Sequence, residues 1–266
     1  MVQDHRATIV CLQETKLQLV NDSIIRETLG PQFVGAYAAL LAERTRGGVI
    51  IACSLDYFIL QDIETTTHTI SACIKNRADN SMWSIAGVYG PQGDAEKMLF
   101  MDEIKQLKPS MRASWMLLGD FNLIYRASDK NNPNVNRRLM NKFKSITDEM
   151  EIKELCLHGR RFTWTSETDD ATMTKIDHIF CTREWEAENS NCYVQAITSS
   201  KSDYCPMLLT CNPFQQQCKG FRFESFWTRL LGFSDTDQEA WSKPVRSNDR
   251  IRALHIKLAR TARALK

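Results

Sequence analysis

The chain is 266 residues long, with 43% hydrophobic and 25% charged residues and a net charge of +2. Such a composition excludes a wholly disordered chain, and the length allows one large α/β domain or two smaller ones. A net charge this small gives no overall field for nucleic acid, and the longest apolar runs, such as Val49 to Cys53, are far too short to span a bilayer.

Charge is unevenly distributed. From Lys219 onward 11 Lys and Arg face 5 Asp and Glu, a net +6, which leaves −4 for residues 1–218. A near-neutral body therefore carries a basic tail. The nine cysteines are odd in number and contain no CxxC pair. They read as small core residues of an intracellular, reducing compartment rather than as disulfides or a zinc site. The polar opening Met1-Val2-Gln3-Asp4-His5-Arg6 does not read as a signal peptide.

In chain order, Thr8 to Leu12 is a β-branched apolar run, hence a buried strand, from which Gln13-Glu14-Thr15 emerges. Ser23 to Leu29 reads as a helix stopped by Gly30-Pro31. Phe33 to Leu40 and Gly48 to Cys53 follow as strands. Tyr57 to Thr66, His68 to Lys75 and Met82 to Tyr89 form an antiparallel meander with a turn at Asp79-Asn80-Ser81, closed by Tyr89-Gly90-Pro91. Asp94 is placed to cap a helix to about Leu107, because Met98, Met101, Ile104 and Leu107 recur at helical spacing.

Trp115 to Leu118 is apolar throughout, as in a strand buried on both faces. Gly119-Asp120-Phe121-Asn122 follows, and in an extended backbone Asp120 and Asn122 point the same way. On spacing alone this is an ordinary turn. A carboxylate base beside a carboxamide donor, at the carboxyl end of a buried strand, also suits attack on an electrophilic phosphorus or carbon. A polar loop runs through Pro133, and Asn136 to Met150 is a helix with Leu139, Phe143, Ile146 and Met150 on one face. Phe162-Thr163-Trp164, Lys175 to Cys181, Cys192 to Ile197 and Met207 to Cys211 are further strands, with Ser202-Asp203-Tyr204 before the last. From Asp249, Ile251, Leu254, Leu258 and Leu265 line one side of a basic amphipathic helix, whose apolar face needs a partner. Many short strands, two hairpins and interspersed helices predict two mixed sheets packed face to face with helices outside.

Gln13-Glu14-Thr15, Tyr89-Gly90-Pro91, Gly119-Asp120-Phe121-Asn122, Thr163-Trp164, Ile176-Asp177-His178 and Ser202-Asp203, in that order, resemble the endonuclease/exonuclease/phosphatase superfamily. Each motif alone is weak, whereas six in family order are a strong signal. The pattern is most similar to the endonuclease domain of plant non-LTR (LINE-type) retrotransposon polyproteins. Phe221-Arg222-Phe223-Glu224, Phe226-Trp227 and the basic helix resemble the connector toward their reverse transcriptase. The resemblance implies a four-layer α/β sandwich over residues 1–213, its first strand missing, followed by a basic helical connector over 214–266.

It also implies Mg²⁺-dependent cleavage of a DNA phosphodiester, with Mn²⁺ as a possible substitute, in a nuclear protein with no membrane partner. Glu14 and Asp203 correspond to metal ligands, Asp120 to the group that deprotonates the attacking water, and Asn122 to a donor on a non-bridging phosphate oxygen. Tyr89 corresponds to a tyrosine directed at the phosphate, and Thr163 and Trp164 to the substrate groove. Asp177 corresponds to the carboxylate that orients the family's catalytic histidine. Here that histidine is Tyr204. A phenol with a pKa near ~10 cannot act as the base that an imidazole near ~6.5 can be. His178, next to Asp177, faces the opposite side of a strand and is a poor substitute. An active endonuclease, an inactive nucleic-acid-binding relic and a small-phosphoester phosphatase all remain compatible with this motif set.

Overall fold

The apolar runs around Trp115 become the middle of a six-stranded sheet. In the computed structural model of the chain, residues 2–43, 47–166, 171–189, 191–197, 205–211, 232–245 and 249–265 are described. They fall into two compact units, Met1–Asn212 and Pro213–Lys266. In the first unit β4 (Phe58–Thr65), β5 (Thr69–Asn76), β6 (Met82–Tyr89), β7 (Trp115–Asp120), β12 (Asp177–Thr182) and β8 (Ile152–Glu154) lie side by side in that order. Only β6 and β7 pair in parallel among these neighbours, so the sheet is mixed. The β5–β6 turn forms where Ser81 N donates to Asp79 Oδ1 at 2.9 Å, with Asn80 at φ 59.

The two faces of this sheet are covered differently. Leu117, Val88 and Phe180 face α2 (Asp94–Lys105) and α3 (Arg137–Glu149), meeting Phe100, Met101, Ile104, Leu139, Phe143 and Ile146 in one core. Asn136 caps α3, its side chain accepting from Leu139 N at 3.2 Å. On the opposite face lie two three-stranded sheets. One is β1 (Ile9–Gln13), β3 (Val49–Cys53) and β2 (Tyr37–Leu40), all antiparallel, with β1 at its edge. The other is β14 (Met207–Thr210), β13 (Tyr193–Ala196) and β9 (Leu157–His158), with β9 parallel to β13. Ile51 and Cys53 pack toward Ile74 and Ile85 of the central sheet, while Val194 packs with Met116, Ile179 and Cys181. Outside β3, α1 (Asp22–Thr28) covers Ile50 and Ala52 through Ile25. The result is helix, sheet, sheet, helix: a mixed α/β sandwich of several sheets flanked by helices.

Four local readings change. Phe33 to Leu40 is not one strand, because Pro31–Phe33 forms a 3-10 turn, Gly35 takes φ 81, and β2 starts only at Tyr37. Asp94 is the first helical residue rather than the cap; Gly93 caps α2, and Asp94 accepts from Asn136 Nδ2 at 2.9 Å. The strand at Phe162–Trp164 is only the two-residue β10 (Trp164–Thr165), paired with β11 (Met173–Thr174). The strands β8 and β9 and the short helix α4 (Arg183–Glu188), capped by Thr182, were not expected, because each is too brief to show a period.

In the second unit, α5 (Phe233–Ser242) and α6 (Arg250–Ala264) form a helical pair. Asp249 caps α6 by accepting from Ile251 N at 2.9 Å. Lys257 Nζ sits 5.3 Å from the Trp241 ring centroid, and Arg260 Nη2 donates to the Lys243 carbonyl at 2.6 Å. No described residue of α6 is buried, and Ile251 is 80% exposed. No helix among the described residues is long and apolar enough to cross a membrane.

Strand β7 has one position that only glycine fits. Gly119 adopts φ 139, and a Cβ there would lie 2.2 Å from the Val88 carbonyl oxygen in β6. Gly119→Ala is therefore expected to lower stability by roughly 3 kcal/mol or more, through strain and a pushed-apart β6–β7 pair, as a large fall in melting temperature.

Candidate active site

Strands β6, β7 and β12 end at one rim of the central sheet. Their registers set Tyr89 opposite Asp120, and Asp120 opposite Asp177. Three polar residues far apart in sequence thus form one row across three adjacent strands. Val88, Leu117 and Phe180 belong to the helix-facing core and Tyr89 to the core between the sheets. Strand alternation therefore turns the whole row toward the second sheet layer.

Asp120 is only 2% exposed. Its Oδ1 accepts from Asn122 N at 2.8 Å, while Oδ2 is buried without a hydrogen-bond partner among the described residues. Burial pushes its carboxyl well above the ordinary range, and the facing Asp177 charge and Glu14 push in the same direction. The Asn122 N–H and the Lys97 charge oppose this. Asp177, also buried, likewise has a partnerless Oδ2 among the described residues. Burial raises it to about 6, although the Thr163 hydroxyl, His178 and Lys175 pull it down.

The Asp120–Asn122 corner is not extended. Asn122 takes φ 50, so strand alternation stops before it and the two side chains are not parallel neighbours. Its Nδ2 donates to the Gly90 carbonyl at 2.7 Å, and Gly90 N donates to the Asp120 carbonyl at 2.7 Å. Tyr89-Gly90-Pro91 and Gly119-Asp120-Phe121-Asn122 are thereby clamped together. A Cβ on Gly90 would sit 2.2 Å from the Phe121 carbonyl oxygen, so the clamp requires glycine there.

Glu14 follows β1 and also takes φ 50. It is close enough for its charge to bear on Asp120, and it makes a 3.3 Å ion pair with Lys16. Thr163 is fully buried, so it lines no substrate groove. Its Oγ1 instead accepts from Ile176 N and Asp177 N, each at 3.2 Å, and steadies Asp177 from behind. Trp164 is half-buried in β10, opposite Thr174. Asp203 and Tyr204 lie outside the described residues.

Two groups escaped the sequence reading. Lys97, on the first turns of α2, is half-buried; burial lowers its pKa, while Asp94 and Asp120 raise it. It sits in an unremarkable helical pattern, and only the fold brings its charge to bear on Asp120. The second is a charged network under the rim. His178 is fully buried on the helix side, with Nδ1 2.7 Å from Glu154 Oε1 and Nε2 3.0 Å from the Leu123 carbonyl. Lys175 also bonds Glu154 Oε1, and Arg126 Nη1 lies 2.9 Å from Oε2 as an ion contact without the geometry of a directed hydrogen bond. Burial would raise Glu154, but the hydrogen bond and charge of His178, with Lys175, outweigh it and hold the carboxyl at about 2. His178 thus turns away from Asp177, as strand alternation requires.

Buried carboxyl oxygens without a hydrogen-bond donor to satisfy them are hard ligands of the kind a divalent cation takes. The donor set thus fits such an ion, although no group of three or more metal-ligating side chains is assembled among the described residues.

The sequence matches the model of the endonuclease/exonuclease/phosphatase family over residues 1–203, and the chain belongs to that family. Family members typically depend on a divalent metal ion. Among solved structures, the endonuclease domain of TRAS1, a telomere-specific non-LTR retrotransposon, shares the fold with a TM-score of 0.57 and 17% identity, over 79% of this chain and 88% of that one. The catalytic domain of Xenopus laevis APE2 matches with a TM-score of 0.52 and 17% identity, over 79% and 85%. D. rerio TDP2, solved in complex with a single-stranded DNA product, matches with a TM-score of 0.50 and 10% identity, over 77% and 83%. No curated protein matches significantly.

The facing carboxyls predict a pH dependence. With a folded pKa near 6 against 3.8 in the unfolded chain, Asp177 binds more protons when folded, so its contribution is favourable at low pH and is lost as pH rises from about 4 through 6. In metal-free protein, Asp177→Asn should raise the melting temperature by several degrees at pH 8, corresponding to roughly 2–3 kcal/mol, and by little at pH 4. Thermal melts across that range test this.

Proposed function

We propose that residues 1–213 are a Mg²⁺-dependent phosphodiester hydrolase of the DNA-endonuclease type, derived from a plant LINE-like retrotransposon and impaired at Tyr204. The reading is carried by one observation, the meeting of Asp120, Asp177 and Tyr89 in one row with Glu14 beside them. The ordered family motifs support it further. Glu14, with Asp203, would hold the ion, and Mn²⁺ would serve in its place. A bound divalent ion supplies positive charge against the phosphate and favours the ionised form of the carboxyls.

The other roles belong to this chain's residues. Asp120 takes the proton of the attacking water. Its raised proton affinity suits a base, provided a cation keeps it ionised at working pH. Asn122, its carboxamide anchored to Gly90, presents its second N–H to a non-bridging phosphate oxygen. Tyr89 directs its hydroxyl to the same phosphate, and Lys97 adds a positive charge at the acidic rim. Trp164 borders the substrate, whereas Thr163 acts only through Asp177. In the family, Asp177 orients a histidine; a phenol at 204 donates a hydrogen bond but brings no positive charge to the pentacovalent transition state. Losing one such contact typically costs about two to three powers of ten in rate. Residues 214–266 are a basic connector that contacts DNA phosphates and leads toward a reverse transcriptase.

Nicking of supercoiled plasmid with Mg²⁺ tests this. The unmodified chain should nick slowly, chelation should stop it, and Asp120→Ala should reduce it by about two powers of ten or more. Tyr204→His should raise the rate by about a hundredfold or more. Nicking that persists in Asp120→Ala would refute the assigned base. If neither the unmodified chain nor Tyr204→His nicks, the domain is a relic without the activity.

A further inference from the structure

Strands β13 and β14 pair antiparallel, with Tyr193 opposite Thr210. One step outward, the same register brings Cys192 opposite Cys211. Their sulfurs lie 2.9 Å apart, inside van der Waals contact yet beyond a covalent bond. Directly opposed residues of an antiparallel pair have Cα atoms about 4.5–5.5 Å apart, within the span that a disulfide bridges. Cys211 is exposed and Cys192 is half-buried, so a small oxidant reaches the pair.

We propose that Cys192 and Cys211 form a reversible disulfide, a modification site at the base of the β13–β14 hairpin. The chain between those strands contains Asp203 and Tyr204, so the bridge would tie together the two ends of the segment that carries them.

The surrounding groups favour this pair. The Cys192 sulfur lies 2.9 Å from the Asn189 carbonyl, which can accept its proton, and at the same distance from Cys211 Sγ. That contact holds Cys192 below the ordinary thiol range and, with burial, raises Cys211. Cys192 is accordingly the nucleophile. The thiols nearest this hairpin are poorer: Cys181 is fully buried, and burial pushes it up to about 12. Cys205 is buried with its sulfur 3.1 Å from the Ile197 carbonyl.

With hydrogen peroxide as oxidant, the Cys192 thiolate attacks a peroxide oxygen, giving a sulfenic acid and one water. The Cys211 sulfur then attacks that sulfur and releases the second water. Two S–H bonds break, one S–S bond forms, and the two electrons reduce the peroxide.

The test is mild peroxide treatment of the full chain under native conditions, followed by thiol titration and peptide mapping without reductant. Free thiols should fall by two from nine. Trypsin cuts at Lys201, so a linked peptide pair two hydrogens lighter should appear, with fragmentation placing the bridge at Cys192 and Cys211. Dithiothreitol should reverse both changes; Cys192→Ser should lose no further thiols, and Cys211→Ser at most one, as an unbridged sulfenic acid at Cys192. A bridge elsewhere, unlinked sulfinic products, or unchanged thiol loss in both serine variants would overturn the proposal. The map of the unmodified chain decides the matter even if a serine variant folds poorly.

Discussion

Two carboxyl groups facing each other across β7 and β12 set the terms for the rest of this domain. Neither Asp120 nor Asp177 is exposed enough for water to carry its charge, and antiparallel register leaves them no way to separate. A buried charge without compensation costs several kcal/mol, so the surroundings are built to limit that cost. The Asn122 N–H and the Lys97 charge offset it at Asp120, and the Thr163 hydroxyl with Lys175 and His178 at Asp177. What remains unmatched is one oxygen on each carboxyl among the described residues. A divalent cation is the natural complement to such a pair of unsatisfied oxygens.

The backbone is bent to hold this arrangement. Gly119 at φ 139, Asn122 at φ 50 and Glu14 at φ 50 cluster around the same rim. Left-handed conformations at non-glycine residues are uncommon, and a cluster of them marks a region held in place by its neighbours. Here the neighbours are identifiable. Asn122 is fastened to Gly90, and Leu123 to His178. Asp129 then accepts from Tyr125 N at 3.0 Å and Arg126 N at 2.7 Å, which fixes the loop that follows.

The underside of β12 completes the support. His178 lies against Phe121, Phe143 and Phe180, so an imidazole is packed as an aromatic while both its nitrogens face oxygen atoms. Glu154, ringed by Arg126, Lys175 and His178, pins β8 to β12 and to the Asp120 loop at once. Consecutive residues on one strand therefore serve opposite purposes: Asp177 faces the acidic rim, and His178 anchors the loop beneath it.

Much of this was legible in the sequence, for a physical reason. Runs such as Val49–Cys53 and Trp115–Leu118, and the periodic apolar face of α3, state their burial directly, because period and propensity are local properties. Ordered motifs named the family and, through it, the row of Tyr89, Asp120 and Asp177. At Asn122 the left-handed turn matches the ordinary-turn reading that spacing alone favours rather than an extended pair, and Thr163, assigned to a groove by the resemblance, is wholly buried. Tertiary structure alone decided that Lys97 reaches the acidic rim, that Glu154 meets Arg126, Lys175 and His178, and that Cys192 meets Cys211. Each of these depends on register and on the crossing of distant segments, and a linear pattern carries no record of which strand lies next to which.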